Sequence, residues 1–106
     1  MSFGVMGGPM QAQGHVQMVL RTQLWGQDPQ TAVDAPRWRI VEGLDVAVEA
    51  AAGDGVIAQL EAMGHRISRE MPDTSYGFGG AQLVHRVKGG YVAGSDPRKD
   101  GQAVGF

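Results

Sequence analysis

Phe3-Gly4-Val5-Met6-Gly7-Gly8-Pro9-Met10 is the stretch that decides how this chain folds: a short apolar run, a glycine pair, then a helical pattern over residues 11–25. Paired glycines turn the backbone where a side chain would block it and leave their N–H groups accessible. Set just ahead of a helix, such amides have the positive end of the helix dipole behind them, so the turn favours negative charge. Fixed donors of this kind suit an oxyanion hole, which stabilises charge as it forms. The plainer reading is a tight strand-to-helix turn with no chemistry. Gly7 and Gly8 are therefore the candidate catalytic residues, acting through their backbone amides.

Outward from this turn, residues 3–6 read as a buried strand. In the helix that follows, Val16, Val19, Leu20 and Leu24 recur at three- and four-residue steps and are expected to form the buried stripe. Gly14 costs that helix about 1 kcal/mol relative to alanine, a cost best tolerated where another segment packs closely. Gly26 stops it. Asp28-Pro29 opens a shorter helix with Asp28 as N-cap, Ala32, Val33 and Ala35 as its apolar face, and Pro36 as its end. A brief strand is expected at residues 38–41. Residues 44–49 alternate, with Leu44, Val46 and Val48 on one side and Asp45, Ala47 and Glu49 on a solvated one. Asp54 caps a helix striped by Val56, Ile57, Leu60 and Met63 and closed by Gly64. Residues 65–71 lead outward with Arg66 and Arg69 in solvent, and residues 72–80 read as loop. Residues 81–87 and 91–93 form a hairpin about Gly89-Gly90. Ser95-Asp96-Pro97-Arg98 is a tight turn, and residues 101–106 are expected to add a last strand segment. The order β-α-α-β-α-β-β describes a mixed α/β domain with antiparallel hairpins.

At 106 residues the chain is expected to form one domain, residues 1–106, with a modest core. Its 17 glycines point to many tight turns or close backbone approaches. A net charge of −2 gives no electrostatic case for nucleic acid or an acidic membrane surface. The absence of cysteine excludes disulfides and thiolate metal sites and leaves the compartment open. No run approaches the ~18 apolar residues of a membrane span. The start lacks the basic residues of a secretory signal and opens at once into a core strand, as expected of a start inside a longer polypeptide.

The remaining candidates for chemistry are few. His15, His65 and His85 have no partner at ligand spacing, so no metal site or cofactor is expected. His65 sits after Gly64, where a cation suits a helix end. Asp45 and Glu49 are ~13 Å apart along a strand, too far for an acid–base dyad. Asp96 and Arg98 suggest a turn lock. Ser2, Ser68, Ser75 and Ser95 lack a nucleophile elbow, and Thr22, Thr31 and Thr74 are internal. No Lys follows Gly7-Gly8, and the G-x-G-x-x-G spacing of nucleotide loops is absent. The pattern thus holds one anion-stabilising turn and no nucleophile.

Gly4-Val5-Met6-Gly7-Gly8-Pro9-Met10-Gln11-Ala12-Gln13 with Val16-Gln17 resembles the segment of γ-glutamyltransferases that carries their glycine pair. The likeness continues through Gly26-Gln27-Asp28-Pro29-Gln30-Thr31-Ala32-Val33-Asp34-Ala35-Pro36-Arg37-Trp38. It resumes at Gly64-His65 and at Phe78-Gly79-Gly80-Ala81-Gln82, and ends on Gly94-Ser95-Asp96-Pro97-Arg98-Lys99-Asp100-Gly101. The resemblance covers essentially the whole chain and implies an αββα N-terminal-nucleophile hydrolase, made as a precursor that cleaves itself into large and small subunits. It also implies attack by the small subunit's N-terminal Thr on a γ-glutamyl amide such as glutathione, and transfer of the glutamyl group to water, an amino acid or a peptide. Gly7 and Gly8 match the glycines of that family's oxyanion hole.

The departures bear on activity. The family's nucleophilic Thr, the Ser pair of its glutamate pocket and the carboxylate-binding Arg of its large subunit have no counterpart here. Met6 stands where the family often has Pro, and Pro9 follows the glycines. The resemblance is therefore to the C-terminal part of a small subunit, inactive alone, whose partner is the remainder of the chain or the large subunit. Removing upstream strands exposes a sheet edge and an apolar face, so a homodimer is also expected. The alternatives are a free-standing non-catalytic module that self-associates or binds a small ligand, and an anion-binding domain holding phosphate at Gly7-Gly8. Location stays open, because family members are often exported.

Overall fold

The computed structural model describes residues 1–71 and 77–106. They gather into two compact units, Met1–Ala35 with Asp73–Phe106, and Pro36–Pro72.

The first unit is a three-stranded antiparallel sheet with strand β1 (Ser2–Met6) at one edge, β5 (Gly80–Val87) in the centre and β6 (Gly90–Ser95) at the other edge. Phe3 pairs with Leu83 and Val5 with Ala81. Strand alternation sends these four side chains to one face. There Val5, Ala81 and Leu83 meet Met18 and Val33 in the core, with Phe3 at its margin. Helix α1 (Met10–Val19) lies against β1, and helix α2 (Pro29–Asp34) against β5 and β6. The opposite face of the sheet carries exposed Met6, Val84 and Tyr91. One helical layer thus covers one face of one sheet.

Asp28 caps α2 as expected: its carboxylate accepts from Gln30 N–H at 3.0 Å and Thr31 N–H at 3.1 Å. Helix α1 departs from expectation. Its buried residues are Met10, Gly14, Gln17 and Met18, whereas Val16, Val19 and Leu24 are 52%, 41% and 69% exposed. The helix is apolar on two opposite faces, and the one turned to the sheet is chosen by size. Strand β1 passes so close that a Cβ on Gly14 would fall 2.5 Å from Val5 Cγ1. Only the face bearing glycine admits that approach. After Val19 the helix widens into a π-helical turn, Leu20–Leu24, in which Trp25 N–H bonds the Leu20 carbonyl at 3.0 Å.

The second unit holds β2 (Trp38–Glu42), β3 (Asp45–Glu49), helix α3 (Asp54–Ala62) and β4 (Arg66–Glu70). β2 and β3 form an antiparallel hairpin, and β4 adds to β3 in parallel. Val46, Val48 and Ile57 are its core, flanked by Trp38, Ala52, Leu60 and Ile67. β4 replaces the outward-leading segment expected at residues 65–71. Arg66 is bidentate to Asp45, and Arg69 pairs with Asp54 rather than standing free. Glu49 is buried, not solvated: its carboxylate accepts the Arg37 N–H at 2.9 Å while its own N–H bonds the Arg37 carbonyl at 3.0 Å. Asp54 is the first helical residue, and the N-cap is Gly53, with no side-chain cap. Val56 and Met63 lie exposed off the expected stripe.

The β5–β6 hairpin turns on Lys88-Gly89, since Val87 already pairs with Gly90. Residues 101–106 form no strand. Of the expected loop over 72–80, residues 72–76 lie outside the described residues, 77 and 78 form a turn, 79 has no regular structure, and Gly80 begins β5.

Candidate functional site

The glycine pair stands where the sequence places it, between the end of β1 and Pro9, the N-cap of α1. Both glycines have positive φ, 128° at Gly7 and 59° at Gly8. L-residues with a Cβ rarely adopt these angles, so the local sequence and the turn agree. Their carbonyls accept the first bonds of the helix, from Met10 N–H at 3.1 Å and Gln11 N–H at 3.0 Å. Among the described residues, neither glycine's own N–H has an acceptor. A Cβ built on Gly8 meets nothing within 4 Å. Beside it runs a shallow groove of about 480 Å³ lined by Gly4, Val5, Met6, Gln11, His15, Gly80 and Gln82.

His15 is the residue of this site that pattern reading missed. Its Nδ1 lies 2.5 Å from the Gln11 carbonyl, and its Nε2 accepts the Val5 N–H at 3.4 Å. A carbonyl can only accept and an amide N–H only donate, so the proton sits on Nδ1. The ring also lies 5.4 Å from that of Phe3. One imidazole thereby ties β1 to the first turn of α1, fixing both arms of the glycine turn. The signal available in sequence was its position four residues after Gln11, on the helix that leaves the turn.

Residues of three other stretches that carried the resemblance, Gln30, Gly79, Gly94, Asp96 and Arg98 among them, act in the same unit as locks. Gln30 grips the Ser95 backbone from both sides, accepting its N–H at 3.1 Å and donating to its carbonyl at 3.0 Å. Gly94 admits the α2 backbone, because a Cβ there would fall 2.6 Å from Pro29 C and O. Gly79 lies under β1, where a Cβ would fall 2.2 Å from the Met6 carbonyl oxygen. The buried Asp96 carboxylate accepts Ala81 N–H at 2.7 Å and Arg98 N–H at 2.9 Å, and pairs with the Arg98 guanidinium at 3.0 Å. Arg98 continues to the carbonyls of Val33 at 2.9 Å and Ala35 at 3.0 Å. The turn lock expected of Asp96 and Arg98 therefore reaches from β5 to the end of α2.

Hydrogen bonds from Thr31, its hydroxyl foremost, hold the Asp28 carboxyl below the usual carboxylate range. Burial, and then the nearby Arg98 charge, lower Arg21. His15, His65 and His85 fall on three different segments, and the His65 N–H closes the end of α3 on the Leu60 carbonyl at 3.2 Å. No three His, Asp or Glu side chains among the described residues come together as a metal site. No helix among them is long and apolar enough to cross a membrane.

The gamma-glutamyltranspeptidase family model matches residues 1–106. The glutathione hydrolase-like YwrD proenzyme of Bacillus subtilis (strain 168) is 32% identical over 98% of this chain. The oxamate amidohydrolase proenzyme of Klebsiella pneumoniae is 30% identical over all of it. In each case the chain spans 21% of the relative's length. The crystal structure of a cephalosporin acylase from Bacillus halodurans superposes with a TM-score of 0.86 at 41% identity, covering 94% of this chain and 19% of that one. An unbroken match along the sequence and the same mixed α/β fold in space identify the chain as a member of the gamma-glutamyltranspeptidase family, spanning about one fifth of the length of its curated relatives.

Proposed function

We propose that this chain is the C-terminal segment of the small subunit of an N-terminal-nucleophile amidohydrolase or acyltransferase, and that its contribution to the reaction is the Gly7-Gly8 turn. The observation that carries this reading is the pair of positive-φ glycines at the strand-to-helix junction, whose amides have no acceptor among the described residues, in a sequence without a recognisable nucleophile. When a nucleophilic hydroxyl attacks an amide carbonyl, negative charge moves onto the carbonyl oxygen. Two fixed N–H donors there stabilise the transition state more than the ground state. The nucleophile and the substrate pocket come from the preceding polypeptide, and the bond broken is a γ-glutamyl or related acyl amide.

Alone, the chain binds no transition state, because an oxyanion hole has nothing to activate. Its partner is the remainder of a family polypeptide, which also covers the open face of the β1–β5–β6 sheet, completing the αββα layering. A homodimer is the competing cover for that face, and sedimentation of the purified chain distinguishes the two.

The test replaces the matching stretch of the B. halodurans acylase with this chain and assays γ-glutamyl p-nitroanilide and that acylase's own substrate. The isolated chain is expected to release no chromophore. In an active chimera, Gly8→Val is expected to lower kcat by about 10²–10³-fold, the loss typical of one oxyanion donor. Turnover by the isolated chain, or an active chimera indifferent to Gly8→Val, overturns the assignment.

A further inference from the structure

The outer face of α1 is apolar and exposed. Val16, Val19 and Leu24 are 41–69% exposed on the side of the helix away from the sheet, and Trp25 continues them at 58%. From Met10 to Trp25 the only charged side chain is Arg21, whose guanidinium turns back over the Trp25 ring at 5.7 Å. A surface helix normally carries charged or polar residues on its outer side, whereas this one turns Val16, Val19 and Leu24 outward. The αββα layering does not account for this, since it covers the open sheet face and leaves the backs of the helices outward.

We infer that the stripe Val16–Val19–Leu24–Trp25 docks against the polypeptide that precedes this stretch in full-length family members, an inference that rests on the proposed function. Two observations choose that occupant over a second copy of the chain. Four side chains on one helix fall well short of the 20–30 residues a side of a standard interface between free partners. A polypeptide already joined to this unit through the sheet needs no such area. In addition, the curated relatives carry about four fifths of their length outside the matched segment, and an uncharged stripe suits a permanent contact more than a transient one.

The test uses Val16→Lys/Leu24→Glu in the isolated chain and in the acylase chimera, with Met63→Lys and Val87→Lys as exposed controls elsewhere. In the isolated chain the stripe pair is expected to leave the melting temperature within about 2 °C of wild type, because both side chains already face water. In the chimera it is expected to lower the melting temperature by at least 5 °C, while the controls do not. Should the chimera not fold, the isolated chain is titrated against the acylase truncated before the matching stretch, and the stripe pair is expected to weaken that association at least tenfold. A chimera that keeps Gly8-dependent turnover but ignores the stripe pair sinks this inference and leaves the proposed function standing. No association even by the wild-type chain sinks both. A wild-type dimer that the stripe pair converts to monomer assigns the face to a second copy instead, which also overturns the inference.

Discussion

Replacing Asp96 by alanine tests the energetic centre of the first unit. The side chain is buried, and its donors include the Ala81 N–H, the Arg98 N–H and the Arg98 guanidinium. Removing it leaves a guanidinium that is 5% exposed without its carboxylate, and the Ala81 N–H without its acceptor at the start of β5. Breaking a buried pair by deleting one partner costs about 3–5 kcal/mol. Domains of this size hold only ~5–15 kcal/mol in all. The melting temperature should therefore fall by more than ten degrees, at roughly 4–8 °C per kcal/mol. Arg98→Ala should cost less, because the carboxylate it leaves behind keeps two backbone N–H donors at 2.7 and 2.9 Å. Urea melts followed by far-ultraviolet circular dichroism at 10 °C measure both variants and the double mutant. An Asp96→Ala loss below about 1 kcal/mol, or a larger loss for Arg98→Ala, would refute the view that this carboxylate organises the unit.

Further outcomes follow from named contacts. Gly94→Ala places a methyl 2.6 Å from the Pro29 backbone, where neither segment can yield cheaply, and should cost about 1–3 kcal/mol in the same melt. His15→Phe keeps the ring but releases the Val5 N–H, so about 1 kcal/mol should be lost, with amide exchange quickening at Val5, Gly7 and Gly8 more than at β6. Asp28 has a folded-state pKa held down by the Thr31 hydroxyl and the backbone N–H groups. Its contribution is therefore present above the ordinary carboxylate value, about pH 4, and lost as pH falls through the lower folded value. Asp28→Ala should flatten the acid limb of the stability–pH curve and leave its neutral-to-alkaline shape unchanged.

What was legible in the sequence was local. Asp28-Pro29 announces a helix start because the cap's donors lie two and three residues away, and the glycine pair announces its turn because the φ angles it needs are its own. What was not legible depended on partners far along the chain. Arg66-Ile67-Ser68-Arg69-Glu70 reads as polar and outward, yet it becomes a strand because β3 offers an edge, with Asp45, Asp54 and Arg39 waiting for its charges. Glu49 alternates onto what looks like a solvated side, but Arg37 closes over it through the backbone. Helix α1 carries two apolar faces, and periodicity alone could not say that the face with the smaller residue would meet the sheet.

The distribution of these contacts bears on why one segment serves enzymes with different names. Gln30, Gly79, Gly94, Asp96 and Arg98 bond or pack against backbone and one another, and none of them needs a substrate to explain it. The glycine turn, by contrast, has backbone N–H groups without acceptors among the described residues, and a backbone N–H recognises the developing oxyanion common to every amide, not the acyl group attached to it. This unit should therefore carry charge stabilisation and stability, with substrate choice set elsewhere. Grafted into the B. subtilis and K. pneumoniae relatives in turn, it should leave each host's ratio of kcat/KM between γ-glutamyl p-nitroanilide and oxamate within about threefold, whatever it does to the absolute rates. A graft that pulled both hosts toward the same preference would mean that side chains of the groove beside the turn, Gln11 and Gln82 first among them, read the acyl group after all.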